Sequence, residues 1–279
     1  MWTTENRARY NRDKLRYPSD LSEEEGEHIE PLIPPAKRGG RKREVKVREV
    51  INGILYVLST GCQWRSLPKD LPPKSTIFHY FDLWNSDGTL ERIHHALYVK
   101  CREKLERNAS PTACIIDSQS VKSAEKGGAR IDPHGFDAGK LVKGKKRHLL
   151  VDTLGLLVHA IVHPADLQDR DGGILLLSTL AGRFPFLAKL FADGAYQGPI
   201  FHEALAKVLP HLKTEIVKRC DQAKGFVVLP KRWIVERTIA WLNRCRRLAK
   251  DFENLTHNAL AFVQLASIRL MVRKLCNPS

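Results

Sequence analysis

The sequence predicts an α/β protein, with a helical N-terminal domain followed by a domain in which helices flank a mixed β-sheet. Before residue 108 the apolar residues recur mainly at helical spacing. After residues 108–111, short apolar runs of strand length alternate with helical patterns. Around Leu154 and Gly155, two β-rich runs flank a turn, which is typical of a hairpin. We therefore divide the chain into residues 1–20, 21–108 and 109–279.

The N-terminal part predicts a basic arm and a set of short helices. Residues 1–20 are polar and rich in arginine, which indicates a flexible arm. Ser22 is a suitable N-cap for a short helix that the prolines of residues 31–35 end. Further helices are expected over residues 44–59, 76–84 and 90–105. The first of these places one apolar face on Val47, Val50, Ile51, Ile54, Leu55 and Leu58.

The C-terminal part predicts alternating strands and helices. The expected order is a strand ending at Asp117, the hairpin, a helix over residues 171–180, a strand ending at Asp193, a helix opened by Pro199, a short strand at 214–219, and helices over 231–253 and 258–275.

Charge and composition narrow the class of partner. A formal net charge of +15 and a pI near 9.7 indicate a polyanionic partner, most simply nucleic acid, although ribosomal or anionic-membrane proteins share such charge. The six scattered cysteines form no CxxC pair, which favours reduced thiols in a cytosolic protein. The sequence shows no signal peptide and no run of 18 apolar residues, so we expect neither export nor membrane insertion.

Three acids form the candidate site. Two predicted strands end in an aspartate, CIID at Asp117 and LFAD at Asp193, where polar groups of α/β sheets often face a ligand crevice. Each aspartate can instead simply cap the turn that follows. Glu236 lies opposite the apolar face of its predicted helix, where an ion pair with Arg232 is the plain alternative. That apolar face comprises Ile234, Thr238, Trp241, Leu242, Cys245 and Leu248.

Together these carboxylates suit phosphoryl transfer. Two divalent ions about 3.5 to 4 Å apart require several anionic oxygens from different elements, because hard cations take oxygen ligands. Asp117, Asp193 and Glu236 would supply such oxygens from two strands and a helix.

The motifs around these acids resemble a known family. The segments IIDSQSVK, HPADLQDRDG, FADGAYQG and RWIVERTIAWLNRCRRLAKDFE are similar to the DDE transposases of the insertion-sequence IS-five family, within the IS-four/IS-five superfamily. The resemblance covers almost the whole chain, and GCQWRSLPKDLPPKSTIFHYFDLW is similar to the DNA-binding domain of those proteins. Position by position, Asp117 matches the first family acid, Asp193 the second and Glu236 the third.

The resemblance implies an RNase H-like catalytic domain that uses Mg²⁺ or Mn²⁺, two ions per site, on transposon-end and target DNA. It also implies a dimer or larger assembly on DNA, in the cytoplasm of a bacterium and associated with the nucleoid. The related IS-four pattern has a tyrosine before Arg232 and a lysine after Glu236, where this chain has Leu229 and Asn243. Arg244 or Arg247 is a candidate to replace that lysine.

Basic residues indicate where DNA binds. Clusters lie at residues 37–48, 140–147 and 231–250, and we expect phosphate contacts from Lys145, Lys146, Arg147 and Arg232. Base reading is expected at the start of the second N-terminal helix, in the manner of a helix-turn-helix protein. The residues concerned are Lys74, Ser75, Thr76 and His79. The alternative is a plain helical bundle, and in either case Phe78, Phe81 and Trp84 are expected in its core.

Other groups and functions stay open. A metal cluster of His148, His159 and His163 is possible but half-buried structural histidines are the simpler interpretation. Four aspartates near the hairpin are alternative metal ligands: Asp152, Asp166, Asp169 and Asp171. The same acids would also serve a structure-specific nuclease, and the basic patches alone would serve a non-catalytic DNA-binding regulator derived from a transposase.

Overall fold

The computed structural model describes residues 3–36, 39, 43–217 and 231–277. The chain forms two compact units. Unit 1 comprises Met1–Arg107, Cys245–Leu248 and Gln264–Ser279, and unit 2 comprises Asn108–Arg244 and Ala249–Val263. The sequence assigned everything after residue 108 to one domain, whereas the structure assigns the last residues of the chain to unit 1.

Unit 1 is helical. Its helices are α1 (Thr4–Arg9), α2 (Glu23–Ile29), α3 (Val47–Thr60), α4 (Lys74–Ser86) and α5 (Thr89–Lys104). Ser22 caps α2 as expected, because its hydroxyl accepts from the Glu25 backbone N–H while the Glu25 carboxylate accepts from the Ser22 N–H. Helix α4 begins one residue before Ser75, so Pro73 and not Ser75 occupies the N-cap position.

The core of unit 1 lies between α3 and its neighbours. The face of α3 that carries Val50, Ile54 and Leu58 is buried as the sequence predicted. Gly53 lets α3 approach α4 closely, since a Cβ there would lie 2.4 Å from Cδ1 of Ile77. Phe81 and Trp84 are core residues, as expected. Phe78 is not, because it is 40% exposed and packs edge-on against the Trp64 ring at 5.2 Å.

The N-terminal arm is attached to unit 1, which corrects the expectation of a flexible arm over residues 1–20. Both terminal nitrogens of Arg12 donate to the buried Glu25 carboxylate, at 2.7 and 2.8 Å. Arg16 forms ion pairs with Asp20 and Glu49. Two of the basic residues of the arm, Arg12 and Arg16, are therefore paired with Glu25 and Glu49 of the helices.

Unit 2 is built on one mixed sheet. Its strands are β1 (Ala113–Lys122), β2 (Gly135–Asp137), β3 (Val142–Asp152), β4 (Leu157–Pro164), β5 (Lys189–Ala192) and β6 (Lys213–Ile216). β1 is central, antiparallel to β3 and parallel to β5, and β6 continues the sheet beyond β5. β3 pairs with β2 and β4 along its other edge. The predicted hairpin is thus confirmed as β3–β4.

The helices of unit 2 are α6 (Asp169–Ser178), α7 (Pro199–Val208) and α8 (Arg232–Leu242). α8 packs on β1 and β3, and α6 packs on β3 and β4. The expected helix over residues 231–253 is too long, because Asp251 leaves helical geometry to form a bridge with Ser123 and an ion pair with Lys126. The closing helix is α9 (Thr256–Cys276), close to the prediction.

Two further observations concern the whole described chain. No helix in the described ranges is long and apolar enough to cross a membrane. The cysteines in those ranges are free thiols, while Cys220 lies outside the described residues.

We predict that the attachment of the arm depends on pH. Burial alone would raise the pKa of Glu25, but hydrogen bonds from Arg12 and Ser22 and the charges of Arg12 and Arg273 hold it below its ordinary value. A lowered folded-state pKa means that the ionised carboxylate stabilises the fold above its unfolded-state value of 4.5 and that this stability is lost as the pH falls below it.

Denaturant unfolding of the parent and of Glu25→Gln between pH 3 and pH 7 checks this. The stability advantage of the parent should be full above about pH 4.5 and shrink below it. Arg12→Met should show the same trend. An advantage that is constant over this range would show that the ion pair does not form.

Candidate active site

Asp117 lies inside a strand, not at its end as the sequence suggested. β1 continues to Lys122 because its hydrogen bonds to β3 extend from Cys114 to Lys122. Its parallel neighbour β5 pairs only with residues up to Ile115 and ends at Ala192. Asp117 therefore lies where one edge of β1 loses its partner strand, and the opening that results is the crevice expected at a strand end.

Asp193 occupies the same opening. The parallel register joins Ile115 to Phe191, so two residues further along Asp117 is level with Asp193. Asp193 also caps the 3₁₀ turn Gly194–Tyr196, its carboxylate accepting from the Ala195 N–H at 2.8 Å. The plain interpretation as a turn cap is thus correct, and it leaves the second carboxylate oxygen for another partner.

The two aspartates repel each other. Burial raises the pKa of the Asp117 carboxyl to about 6, the hydrogen bond from the Ser118 N–H opposes this, and the charge of Asp193 adds to the rise. The charges of Arg232 and Lys140 act in the opposite direction. A carboxyl group with such a shift, beside another acid in a cleft, is typical of a functional site.

Glu236 reaches the same place from α8. One guanidinium nitrogen of Arg232 lies 3.6 Å from Asp193 and 3.3 Å from Glu236, so both carboxylates converge on one cation. The ion pair between Arg232 and Glu236 that the sequence offered as the plain alternative is therefore present. It does not separate Glu236 from the aspartates, because the same arginine contacts Asp193. Glu236 is about half exposed.

The donor chemistry of this cluster fits a divalent metal ion. Three carboxylates from β1, the end of β5 and α8 provide the anionic oxygens that Mg²⁺ and Mn²⁺ prefer. The pKa of Asp117 is raised, and Arg232 lies between Asp193 and Glu236. Both observations indicate a place where added positive charge is stabilising. Within the part of the chain described, no three acid, histidine or cysteine side chains are grouped closely enough to hold a metal as they stand.

The sequence did not predict Tyr196 as a neighbour of the acids, and it misplaced one residue of α8. The Tyr196 ring is buried against His148, and burial together with the charges of Asp117, Asp169 and Asp193 raises the pKa of its hydroxyl well above the ordinary value. On α8, Trp241 was expected in the core but is 40% exposed.

The exposed tryptophan belongs to a stack on α8. Arg237 lies between the rings of Trp233 and Trp241, at 4.5 and 4.6 Å from their centroids. The spacing W-x₃-R-x₃-W is visible in the sequence and places all three side chains on one stripe of the helix. That spacing is the signal that would have predicted an exposed Trp241.

The structure argues against phosphate contacts by Lys145, Lys146 and Arg147, because all three are buried. Lys146 is 2.7 Å from Asp169 and 3.3 Å from Asp137. Burial lowers the pKa of Arg147 to about 10, against the opposing charges of Asp251 and Glu253. The sequence pattern of consecutive basic residues on a strand did not reveal that the sheet is covered on both faces here.

The two arginines that could replace the family lysine differ in exposure. Arg244 is exposed just after the helix. Arg247 is buried in unit 1, where it donates to the Cys62 carbonyl, so it is not available to grip a phosphate. Leu229 lies outside the described residues.

In unit 1, Lys74, Ser75 and His79 are exposed at the start of α4 and Thr76 is half-buried.

The other candidate ligands have structural partners. His148 Nδ1 and His163 Nε2 lie 2.8 Å apart, and His163 also contacts the Pro164 carbonyl, while His159 is opposite Leu150 in the ladder. Among the reserve acids, Asp152 accepts from two N–H groups of the β3–β4 turn. Asp169 pairs with Lys146, and Asp171 is exposed beside Arg170.

Comparisons with known proteins identify the family of this chain. Residues 108–271 match the family described as "Transposase DDE domain", and residues 21–94 match "Putative transposase of IS4/5 family". The chain is 34% identical over 105 residues to the insertion element IS402 uncharacterized 16.2 kDa protein of Burkholderia cepacia. That alignment covers 36% of this chain and 70% of the relative. No solved structure matches the chain.

The first match covers more than half of the chain and includes all three acids. The chain therefore belongs to the IS4/IS5 family of DDE transposases.

Proposed function

We propose that the chain binds the terminal inverted repeats of its insertion sequence, cleaves the DNA there and joins the ends to target DNA. The observation that carries this proposal is that Asp117 is level with Asp193 at the free edge of β1 and that Arg232 contacts both Asp193 and Glu236. The order of strands around β1 supports an RNase H-like fold for unit 2. Because two ends must be brought together, a dimer or larger assembly on DNA is part of the proposal.

Asp117, Asp193 and Glu236 would hold Mg²⁺ or Mn²⁺, two ions per site. When bound, such ions supply an activated water and neutralise charge on the scissile phosphate. Because each of the three carboxylates belongs to a different element of unit 2, together they would fix the side from which the scissile phosphate approaches the ions. No protein nucleophile is required, because the freed 3′-OH of DNA performs the joining step.

Arg232 has two tasks in this proposal. Without metal it neutralises Asp193 and Glu236, which would otherwise repel each other. When the carboxylates hold metal, its guanidinium is free to bind a phosphate oxygen of DNA, for which its fork of donors is well suited. Arg244, exposed beyond the end of α8, is the remaining candidate for the phosphate contact that the related IS-four pattern gives to a lysine.

Unit 1 is proposed to select the DNA end. Lys74, Ser75 and His79 are exposed on the first turns of α4, while the opposite side of this helix packs through Ile77, Phe81 and Trp84. A polar first turn on a rigid helix is the arrangement by which helix-turn-helix proteins read the major groove.

The first prediction in this section separates the two roles of Glu236. Glu236→Gln keeps the size of the side chain but removes the charge that a hard cation needs. If Glu236 is a metal ligand, cleavage and joining of end DNA should fall on the order of 100-fold or more in Mg²⁺, with unchanged affinity for DNA. If it only pairs with Arg232, stability should change by less than about 1 kcal/mol and cleavage should stay near that of the parent.

Asp117→Asn and Asp193→Asn should lose activity in the same way, whereas Asp171→Asn, which removes an exposed acid from α6, should remain active. A strand-transfer assay run in parallel distinguishes a transposase from a nuclease with the same acids. Near-normal cleavage by Glu236→Gln would remove the third acid from the site.

A second prediction concerns recognition by α4. The triple variant Ser75→Ala, Thr76→Ala, His79→Ala in the full chain should bind its own repeat and unrelated DNA with similar affinity. Each lost base contact is worth about 1 to 3 kcal/mol of discrimination, so the affinity ratio should fall at least about tenfold.

The matched control removes exposed polar side chains from α5, with His95→Ala and Lys100→Ala, and should keep the parent ratio. Fluorescence anisotropy with the repeat and with unrelated DNA measures the affinity ratio of the triple variant and of the control. A triple variant that discriminates as well as the parent would place recognition outside the first turns of α4.

A further inference from the structure

The basic residues around the start of β3 fall into two groups that differ in burial. Lys145, Lys146 and Arg147 are buried, whereas Lys140 and Lys143 are exposed. Lys122 is also exposed, at the end of β1, where it is opposite Gly144 in the ladder. The positive charge available to a ligand therefore comes from the ends of β1 and β3 and not from their middle.

Of these exposed lysines, Lys122 and Lys143 border an open cleft. The cleft is lined by Lys122, Ser123, Glu125, Lys126, His134 and Lys143, with Ala124 and Ile131. Three lysines against one glutamate leave it positive. Such a surface suits an anion that presents several charges in a row.

The floor of the cleft contains an ion-pair cluster. Lys126 forms an ion pair with the buried Asp251, whose carboxylate also accepts from the Ser123 hydroxyl at 2.8 Å. The buried Lys145 ammonium lies 3.8 Å from the same carboxylate. Lys126 and Lys145 therefore face Asp251 on the floor of the cleft. The exposed positive charge is that of Lys122 and Lys143, which form the rim.

We propose that this rim binds the phosphate backbone of the DNA strand that leaves the three acids. The inference rests on the proposed function. Lys122 is five residues beyond Asp117 on the same strand, which corresponds to about 16 Å at about 3.3 Å per residue. The odd spacing puts the two side chains on opposite faces of the sheet, so a DNA strand meets both only by running along the free edge of β1. One DNA strand rises 3.4 Å per nucleotide, so the rim meets the backbone about five nucleotides from the scissile phosphate.

Lys140 lies at the start of this path. Its ammonium donates to the Ser118 carbonyl at 3.3 Å and to the Ser118 hydroxyl at 3.1 Å, directly after Asp117 in the chain. The same ammonium lies 3.7 Å from an Asp169 carboxylate oxygen, so a phosphate would bind Lys140 in competition with Asp169. Lysine contacts of this kind position DNA without reading its sequence.

The test compares the double variant Lys122→Gln, Lys143→Gln with a charge-matched control, Lys207→Gln, Lys213→Gln, whose lysines are exposed on α7 and β6. Affinity for a duplex carrying the insertion-sequence end is measured across a series of salt concentrations. Loss of two phosphate contacts should lower the slope of log affinity against log salt by about 2. The control should keep the parent slope, and Lys122→Arg, Lys143→Arg should restore it.

The length of the DNA identifies which segment lies on the rim. Duplexes trimmed to about two base pairs beyond the scissile phosphate, on the transposon side or on the flanking side, are too short to reach a point about five nucleotides away. The difference in salt slope between the parent and the double variant should vanish when the side of the duplex that lies on the rim is trimmed. A difference seen only in joining to target DNA would assign the rim to the target instead.

Equal slopes for the double variant and its control on every DNA would overturn the proposal. Asp117→Asn, assayed for cleavage alongside, keeps the two proposals apart. If Asp117→Asn cleaves like the parent, the proposed function fails. If Asp117→Asn is inactive and the lysine pair behaves like its control, only the assignment of the cleft fails.

Discussion

Repulsion between carboxylates that share a partly buried opening is the constraint on which the site depends. Asp117 and Asp193 lie level at the edge where β5 ends, and their mutual repulsion adds to the effect of burial on Asp117. Arg232 offsets this by contacting both Asp193 and Glu236. An arrangement of acids that is costly without added positive charge is one that binds cations, which connects the fold of unit 2 to metal-dependent chemistry.

The sheet makes this arrangement possible by balancing its other charges internally. Asp251 is placed by its bridge to Ser123, where it meets Lys126 and Lys145. On another part of the sheet Lys146 is held between Asp137 and Asp169. Over these two clusters three lysines face three aspartates, and exposed basic residues elsewhere can meet a polyanion.

Much of the fold followed from local patterns, and the departures have physical causes. Helical spacing and the Ser22 cap predicted α2 and α3, and turn chemistry predicted the β3–β4 hairpin. The three acids were predicted from strand-end positions and a family resemblance. Burial of Lys145 and Arg147, attachment of the arm through Arg12, and the end of α8 before Asp251 could not be predicted, because each depends on ion pairs between residues far apart in sequence.

The most direct test of the account is to locate the metal itself. Fe²⁺ bound in place of Mg²⁺ reduces added hydrogen peroxide to hydroxyl radicals, with ascorbate returning Fe³⁺ to Fe²⁺, and the radicals cut the polypeptide near the metal ligands. The account predicts cuts close to Asp117, Asp193 and Glu236, suppressed by excess Mg²⁺ and absent in Asp117→Asn. Cuts near Asp117 and Asp193 without any on α8, or a cutting pattern unaffected by Asp117→Asn, would contradict a single site built by all three carboxylates.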